Sequence, residues 1–175
     1  MVLSSFNLGL TYSFVSVRNP SSPLNDWCDQ YILQGFSWRQ DSVSFRMLNS
    51  CREFIPTEVF LKDQFSIKPE TARAILVPFW VTSSEGVVFQ DFADEPDTNL
   101  VSIPQGKYAL IFESGFREEY RNLPNYQGRL VVLLPVWCRF TFIPKKNNET
   151  VEAKILRADP NLSPTFPLLM EADPA

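Results

Sequence analysis

Short runs of β-branched and aromatic residues, separated by turn-forming residues, recur along most of this chain. Regularly spaced short strands of this kind are typical of an antiparallel sandwich or barrel. Near the N-terminus, Leu8, Leu10, Tyr12 and Phe14 alternate with polar or small residues and predict one half-buried strand. Further strands are predicted at residues 43–48, 59–62, 74–82, 87–92, 100–103, 108–113, 129–143 and 150–156. We therefore expect an all-β fold, mainly an antiparallel β-sandwich or curved barrel.

Two of the most apolar runs are interrupted by proline, at Pro78 and Pro135. Proline lacks the N–H that a ladder hydrogen bond needs, so a bulge or an edge position is expected near Pro78. Turn-forming residues occupy 83–86 and 104–106, where they predict turns between antiparallel neighbours.

One short helix is predicted near the N-terminus, within residues 25–35. Asn25 or Asp26 would serve as its N-cap, Asp29 would lie in its first turn, and Gly35 would follow its last turn. Trp27 is expected on the face that packs against the sheet.

Residues 1–157 are expected to form a single β-rich domain, and residues 158–175, which hold four prolines, a C-terminal arm or disordered tail. The first residues lack a basic region and a long apolar run, which favours a cytoplasmic protein without membrane contact. Cys28, Cys51 and Cys138 are widely spaced and odd in number, so we expect reduced thiols in the core.

The chain contains no histidine, which excludes Ser-His-Asp triads, Cys-His pairs and imidazole-ligated zinc sites. We therefore expect a protein without enzymatic activity, catalytic residues, cofactor or metal centre. The net charge of −4 disfavours direct binding to nucleic acid, because such binding needs a cationic face.

Negative charge is concentrated between Arg73 and Lys107, where five carboxylates occur without any basic residue. The densest part, residues 91–99, is called the acidic segment below. A solvated loop and a calcium site are two interpretations, but the spacing fits no EF-hand loop. A third is docking into a basic groove of a partner protein. The predicted partner-binding residues are Glu85, Asp91, Asp94, Glu95 and Asp97.

A second group of charges, Glu113, Glu118 and Glu119 with Arg117 and Arg121, predicts exposed ion pairs of little energetic weight. It gives no positive evidence for a pair of catalytic carboxylates.

Three ordered motifs resemble the competence protein J (ComJ) family, whose members are small inhibitors of the DNA-entry nuclease and relatives of immunity proteins. The motifs are Asp26-Trp27-Cys28-Asp29 with Gly35-Phe36 and Val43-Ser44-Phe45, then Val77-Pro78-Phe79-Trp80-Val81 with Gly86-Val87-Val88, then Ile103-Pro104-Gln105-Gly106-Lys107-Tyr108-Ala109-Leu110. Most matched residues, including Pro78, Phe79, Pro104 and Gly106, are of structural type.

The resemblance implies a non-catalytic protein that binds a nuclease and keeps it inactive. A nuclease site holds phosphate and a divalent metal, so carboxylates of the acidic segment could occupy it as a phosphate mimic. The alternative is a sandwich that binds a small ligand or carbohydrate through Trp38, Trp80 or Trp137, although Trp80 and Trp137 lie in apolar strands that favour core packing.

Overall fold

The computed structural model describes residues 1–10, 13–48, 53–91, 99–116 and 136–175, which form two β-sheets and one short helix. The strands are β1 (Val2–Leu10), β2 (Phe14–Arg18), β3 (Phe36–Arg39), β4 (Ser42–Arg46), β5 (Glu53–Leu61), β6 (Thr71–Val81), β7 (Val87–Gln90), β8 (Leu100–Val101), β9 (Gly106–Phe116), β10 (Val136–Lys145) and β11 (Lys154–Arg157). The large sheet has the order β1-β5-β10-β9-β6-β11, and the small sheet has the order β3-β4-β2-β7-β8. Neighbours are antiparallel except β5 and β10, which are parallel. The predicted all-β, mainly antiparallel fold is confirmed.

Aromatic rings from the facing sides of the two sheets fill the core. Phe45 of β4 stacks on Phe112 of β9 with ring centroids 4.6 Å apart, and Phe89 of β7 contacts Phe140 of β10 at 5.0 Å. All four side chains are fully buried. Such ring pairs contribute about 0.5–1.5 kcal/mol beyond the area that they bury. The aromatic-rich composition thus holds the two sheets together.

Both predicted turns occur at the expected residues, but the expected pairing is wrong. Residues 82–86 lead from β6 in the large sheet to β7 in the small sheet, and residues 102–105 lead from β8 back to β9. Neither turn therefore joins paired neighbours. The same turn-forming residues occur in hairpins and in connections between sheets, because their preference for turns depends only on the local backbone conformation.

The predicted N-terminal strand through Leu8 and Phe14 is also two strands. Leu8 lies in β1 of the large sheet, whereas Phe14 begins β2 of the small sheet. Leu10 closes β1, and Tyr12 lies outside the described residues. Leu8 lies in the core, but the core residues of β2 are Val15 and Val17, whereas Phe14 lies on the opposite face and packs against Trp27.

Of the two alternatives expected for Pro78, a bulge or an edge position, the structure shows the edge position. β11 pairs with β6 only along Ala74–Leu76, so no strand among the described residues pairs with that side of β6 beyond Leu76. The Pro78 carbonyl instead accepts a hydrogen bond from Trp38 Nε1 at 2.6 Å, and the Trp80 N–H donates to Gln40 O at 2.9 Å. The missing N–H of Pro78 therefore breaks no ladder bond. Pro135 lies outside the described residues.

The helix α1 spans Asp29–Gln34 and is shorter than predicted. Cys28, not Asn25 or Asp26, occupies the N-cap position, and no side chain caps the helix there. Asn25 is instead fully buried, and its Nδ2 donates to the carbonyls of Ser37 and Ser42 at 2.8 and 3.0 Å. An Asn amide that bridges two strands is not available as a cap, so helix formation starts later in the chain.

The C-terminal segment 158–175 contacts α1, β3 and β6. Gln34 exchanges two hydrogen bonds of 2.9 Å with the backbone of Leu169, and the Ala172 N–H donates to Trp38 O at 2.8 Å. Asp159 forms an ion pair with the fully buried Arg73, with Nε and Oδ2 2.6 Å apart. The division of the chain at residue 157 stays a prediction.

The thiols differ in environment. Cys138 is buried and forms no disulfide. Burial raises the pKa of its thiol to about 12, although a hydrogen bond between Thr57 Oγ1 and Cys138 Sγ, 3.2 Å apart, acts in the opposite direction. Cys28 is free but exposed, so the expectation of a core thiol is wrong for this residue. Cys51 lies outside the described residues.

In the part of the chain that the structure describes, no helix is long and apolar enough to cross a bilayer.

Candidate partner-binding surface at the acidic segment

The acidic segment connects β7 to β8, two paired strands at one edge of the small sheet. Residues 92–98, with Asp94, Glu95 and Asp97, lie outside the described residues. The ends of the connection are held together: the Phe89 N–H donates to Asn99 O at 3.0 Å, and Val88 pairs with Leu100. A hairpin base of this kind fixes where the carboxylate-bearing residues leave and rejoin the sheet.

A buried cation supports the start of the acidic segment. The Arg18 guanidinium donates to Gln90 Oε1 at 2.7 Å and to the carbonyls of Pro20 and Ser22 at 2.8 Å each. Gln90 Nε2 in turn donates to Asp91 O at 3.3 Å. Arg18 is only 6 % exposed, so its guanidinium interacts mainly with protein groups rather than with water. This network holds the end of β7 in one conformation.

The structure separates the predicted binding residues instead of gathering them. Glu85 is exposed in the turn before β7, where its N–H donates to Ser83 Oγ at 3.1 Å. Asp91 follows the other end of β7 and is fully buried. The four residues of β7 span about 10 Å at ~3.3 Å per residue, so Glu85 and the acidic segment lie at opposite ends of this strand. Of the two predicted binding residues that the structure describes, Glu85 is therefore exposed and Asp91 is not.

The motif residues of the N-terminal third shape α1 and its exit. Asp29 is the acidic residue of the first turn, where its negative charge interacts favourably with the positive end of the helix dipole. Trp27 packs its ring 4.2 Å from that of Phe14, while Asp26 is exposed. Gly35 ends the helix in the left-handed conformation with φ 86°, as predicted, and its N–H donates to Tyr31 O at 2.9 Å.

The other motif residues shape the large sheet. Phe79 is fully buried, and its ring lies 5.9 Å from that of Phe142. Pro104 accepts a hydrogen bond from the Tyr108 hydroxyl at 2.7 Å, and Gly106 is the first residue of β9. These residues determine the fold rather than a binding surface.

The expectation of exposed ion pairs is wrong for Glu113. Its carboxylate is fully buried and accepts hydrogen bonds from the Arg139 guanidinium, including one from Nε at 2.7 Å. The Lys68 N–H and Thr71 Oγ1 donate to its other oxygen at 3.0 and 2.9 Å. Segment 62–70 covers the pair from outside the sheet, which sequence spacing does not reveal. Glu118, Glu119, Arg117 and Arg121 lie outside the described residues.

Sequence reasoning missed the two residues that support the acidic segment, Arg18 and Gln90. Arg18 ends an alternating apolar strand, and a cation at that place is usually solvated. Its burial follows from the Asn19–Ser22 turn, which wraps carbonyl groups around the guanidinium. The described ranges contain no group of three or more His, Cys, Asp or Glu residues able to hold a metal ion.

Two packed, antiparallel-rich sheets, with an acidic connection at the edge of the smaller sheet, define a small β-sandwich. The ComJ (competence protein J) family model matches residues 7–143, so the chain belongs to the ComJ family. No curated protein shows significant sequence similarity to it.

Two solved structures share the fold. One is ComJ from Bacillus subtilis, inhibitor of the DNA degrading activity of NucA, with a TM-score of 0.61 and 16 % identity over 83 % of this chain and 98 % of that chain. The other is the product of crocagin biosynthetic gene J, with a TM-score of 0.52 and 16 % identity over 82 % of this chain and 98 % of that chain.

Proposed function

We propose that this protein is a non-catalytic inhibitor that binds a nuclease. The proposal rests on the membership of the chain in the ComJ family. ComJ from Bacillus subtilis, whose solved structure is similar, is an inhibitor of the DNA degrading activity of NucA. The absence of histidine agrees with a role in binding rather than in hydrolysis.

We further propose that the acidic segment is the part that docks. Between Arg73 and Lys107 the chain carries five carboxylates and no basic residue, which suits a cationic nuclease groove. The support given by Arg18 and Gln90 favours this role, because a preorganised hairpin base lowers the entropic cost of binding. Asp94, Glu95 and Asp97 then pair with Arg and Lys of the nuclease or ligate its metal as a phosphate mimic.

The test is a DNA-degradation assay with increasing amounts of this protein. The nucleases are NucA from Bacillus subtilis and any nuclease that the protein retains from its native lysate at low salt. Inhibition that saturates near one protein per nuclease supports the proposal. If no nuclease is inhibited at any ratio, the inhibitor function is wrong.

Docking is tested separately with the triple variant Asp94→Asn, Glu95→Gln, Asp97→Asn. The matched control, Asp63→Asn, Glu152→Gln, Glu171→Gln, removes the same charge from exposed residues elsewhere. We expect weaker inhibition and a flatter salt dependence for the first variant only. Equal inhibition by both variants would contradict docking through the acidic segment while leaving inhibition itself intact. Glu85→Gln is expected to resemble the control, since Glu85 lies at the far end of β7.

A further inference from the structure

A concave site with aromatic walls lies where the turn between β3 and β4 meets β6 and β9. We call it the tryptophan groove. Its volume is about 300 Å³, at the lower end of the range of small-ligand pockets. Residues of four sequence-distant parts of the chain line it, among them Trp38, Gln40, Trp80, Lys107, Asn148 and Thr150.

Hydrogen bonds hold the Trp38 indole and the backbone of Trp80 in place. Trp38 Nε1 donates to Pro78 O at 2.6 Å, and the backbone N–H of Trp80 donates to Gln40 O at 2.9 Å. The Lys107 ammonium lies 4.7 Å from the centroid of the Trp80 ring. A planar or saturated ring that enters the groove therefore meets preformed apolar surfaces.

Asn19 fixes the place at which the two sheets form this groove. Its Nδ2 donates to the carbonyls of Asp41 and Trp80 at 3.1 and 2.8 Å, and its Oδ1 accepts from the Thr82 and Ser83 N–H groups at 2.8 and 3.1 Å. This fully buried side chain thus joins the β3–β4 turn to the end of β6. A buried amide with every bond satisfied makes the junction rigid.

The two charged side chains that line the groove already form hydrogen bonds with the backbone. Lys107 Nζ, besides its contact with the Trp80 ring, donates to Asn147 O at 3.2 Å. The Glu149 carboxylate accepts from the Lys146 N–H at 3.1 Å. One cation and one anion line the groove, so it offers no net charge to a ligand. Neutral ligands are therefore favoured over phosphates, nucleotides or amines.

The polar groups left for a ligand are amides and one hydroxyl. Among the described residues, no protein partner hydrogen-bonds to the side chains of Gln40, Asn147, Asn148 or Thr150, and all four residues are exposed. Amides and hydroxyls both donate and accept, as sugar hydroxyls do. Aromatic walls below a rim of such groups match a ring with an apolar face and polar edges.

We propose that the tryptophan groove binds a neutral, hydroxyl-rich ring compound, such as a mono- or disaccharide. The ring lies against the Trp38 and Trp80 indoles, and its hydroxyls bind the amides of Gln40 and Asn148. This site is independent of the acidic segment and of nuclease inhibition.

The experiment follows the four indole N–H signals of the ¹⁵N-labelled full chain during titration with sugars. The panel contains glucose, galactose, N-acetylglucosamine and maltose, with ribose 5-phosphate and AMP as charged compounds. Single Trp→Phe variants assign the signals. We expect at least one neutral sugar to shift the Trp38 and Trp80 signals saturably and to leave that of Trp137 unchanged.

Trp137 provides a matched control because it lies outside the groove but has a similar contact with a cation. The Lys68 ammonium lies 4.8 Å from the centroid of the Trp137 ring, and the Lys107 ammonium lies 4.7 Å from that of Trp80. Trp80→Leu should weaken sugar binding about two- to tenfold, which corresponds to one lost aromatic contact, whereas Trp137→Leu should not. If Trp80→Leu does not fold, Asn148→Ala still tests whether the amides at the rim bind the sugar, because Asn148 lies on an exposed turn. Gln64→Ala, which removes an exposed amide elsewhere, is the control for this variant.

Three results would overturn the proposal. The first is the absence of saturable shifts for every neutral sugar at tens of millimolar. The second is shifts produced only by the phosphate compounds. The third is equal weakening by the groove variants and by their controls.

Discussion

The buried pair of Glu113 and Arg139 makes a sharp prediction about stability. Glu113 is fully buried and Arg139 is 7 % exposed, so neither charge is compensated by bulk water. Arg139→Met keeps an unbranched apolar chain but removes the guanidinium, and among the described residues Glu113 then keeps two neutral donors, the Lys68 N–H and Thr71 Oγ1. Breaking a buried pair on one side costs about 3–5 kcal/mol.

The assay is thermal denaturation followed by near-ultraviolet circular dichroism, with urea denaturation as a second measure. For a chain of this length each kcal/mol shifts the Tm by about 2–4 °C, so Arg139→Met should lower the Tm by about 6–20 °C. Lys68→Met is the control: its ion pair with Glu58 spans 3.4 Å, and both side chains are more than one third exposed. An exposed pair of this kind contributes under about 1 kcal/mol.

The double variant Glu113→Gln, Arg139→Met distinguishes a lost charge pair from lost packing. It removes both charges, so no uncompensated carboxylate remains, and we expect it to be more stable than Arg139→Met alone. Two results would refute the reasoning. One is an Arg139→Met variant within about 1 kcal/mol of Lys68→Met, and the other is a double variant that is less stable than Arg139→Met by the full cost of Glu113→Gln.

Two further predictions concern the C-terminal segment and the end of α1. Burial raises the pKa of Asp159, but the hydrogen bond and charge of Arg73 outweigh this effect and hold the pKa below its ordinary value. The ion pair therefore stabilises the fold fully above about pH 4, the pKa of an unfolded Asp, and this stabilisation is lost as the pH falls through the lower pKa of the folded state. The Tm difference between the wild type and Asp159→Asn should therefore shrink between about pH 6 and pH 2, and a constant difference would contradict it. Gly35→Ala should cost at least about 1–2 kcal/mol in urea denaturation, because φ is 86° and the added Cβ would lie 2.7 Å from Leu162 Cδ2. Gly9→Ala, whose nearest contact would be 3.5 Å, should be nearly neutral, and equal costs at both sites would count against the strain argument.

Local chemistry predicted the elements better than their partners. The turns at 83–86 and 104–106, the cap at Gly35 and the edge position of Pro78 follow from backbone rules that act over a few residues, and the structure contains all of them. The pairing across those turns was wrong, since the choice of sheet depends on packing between segments far apart in sequence.

The candidate sites show the same limit. The concentration of acidic residues is visible in the sequence, but the burial of Asp91 is not, because it depends on how the end of β7 packs in the small sheet. Trp80 and Lys107 were each visible as residue types, yet their contact requires the register of β6 against β9, in which they are direct neighbours. Register follows from the whole sheet and not from either strand alone.

The two proposed sites belong to opposite ends of the small sheet, which makes their tests independent. The acidic segment leaves β7 at Gln90, which pairs with Ser16 of β2, whereas the turn that lines the tryptophan groove is bonded to Asn19. Ser16 and Asn19 are three residue steps apart, which corresponds to about 10 Å along an extended chain. Couplings between sites at such a distance are usually small unless both contact one two-state element. The triple acidic variant should therefore leave the sugar-induced shifts of Trp38 and Trp80 unchanged, and Asn148→Ala should leave nuclease inhibition unchanged. A variant that abolished both activities with its fold intact would instead indicate a single shared site.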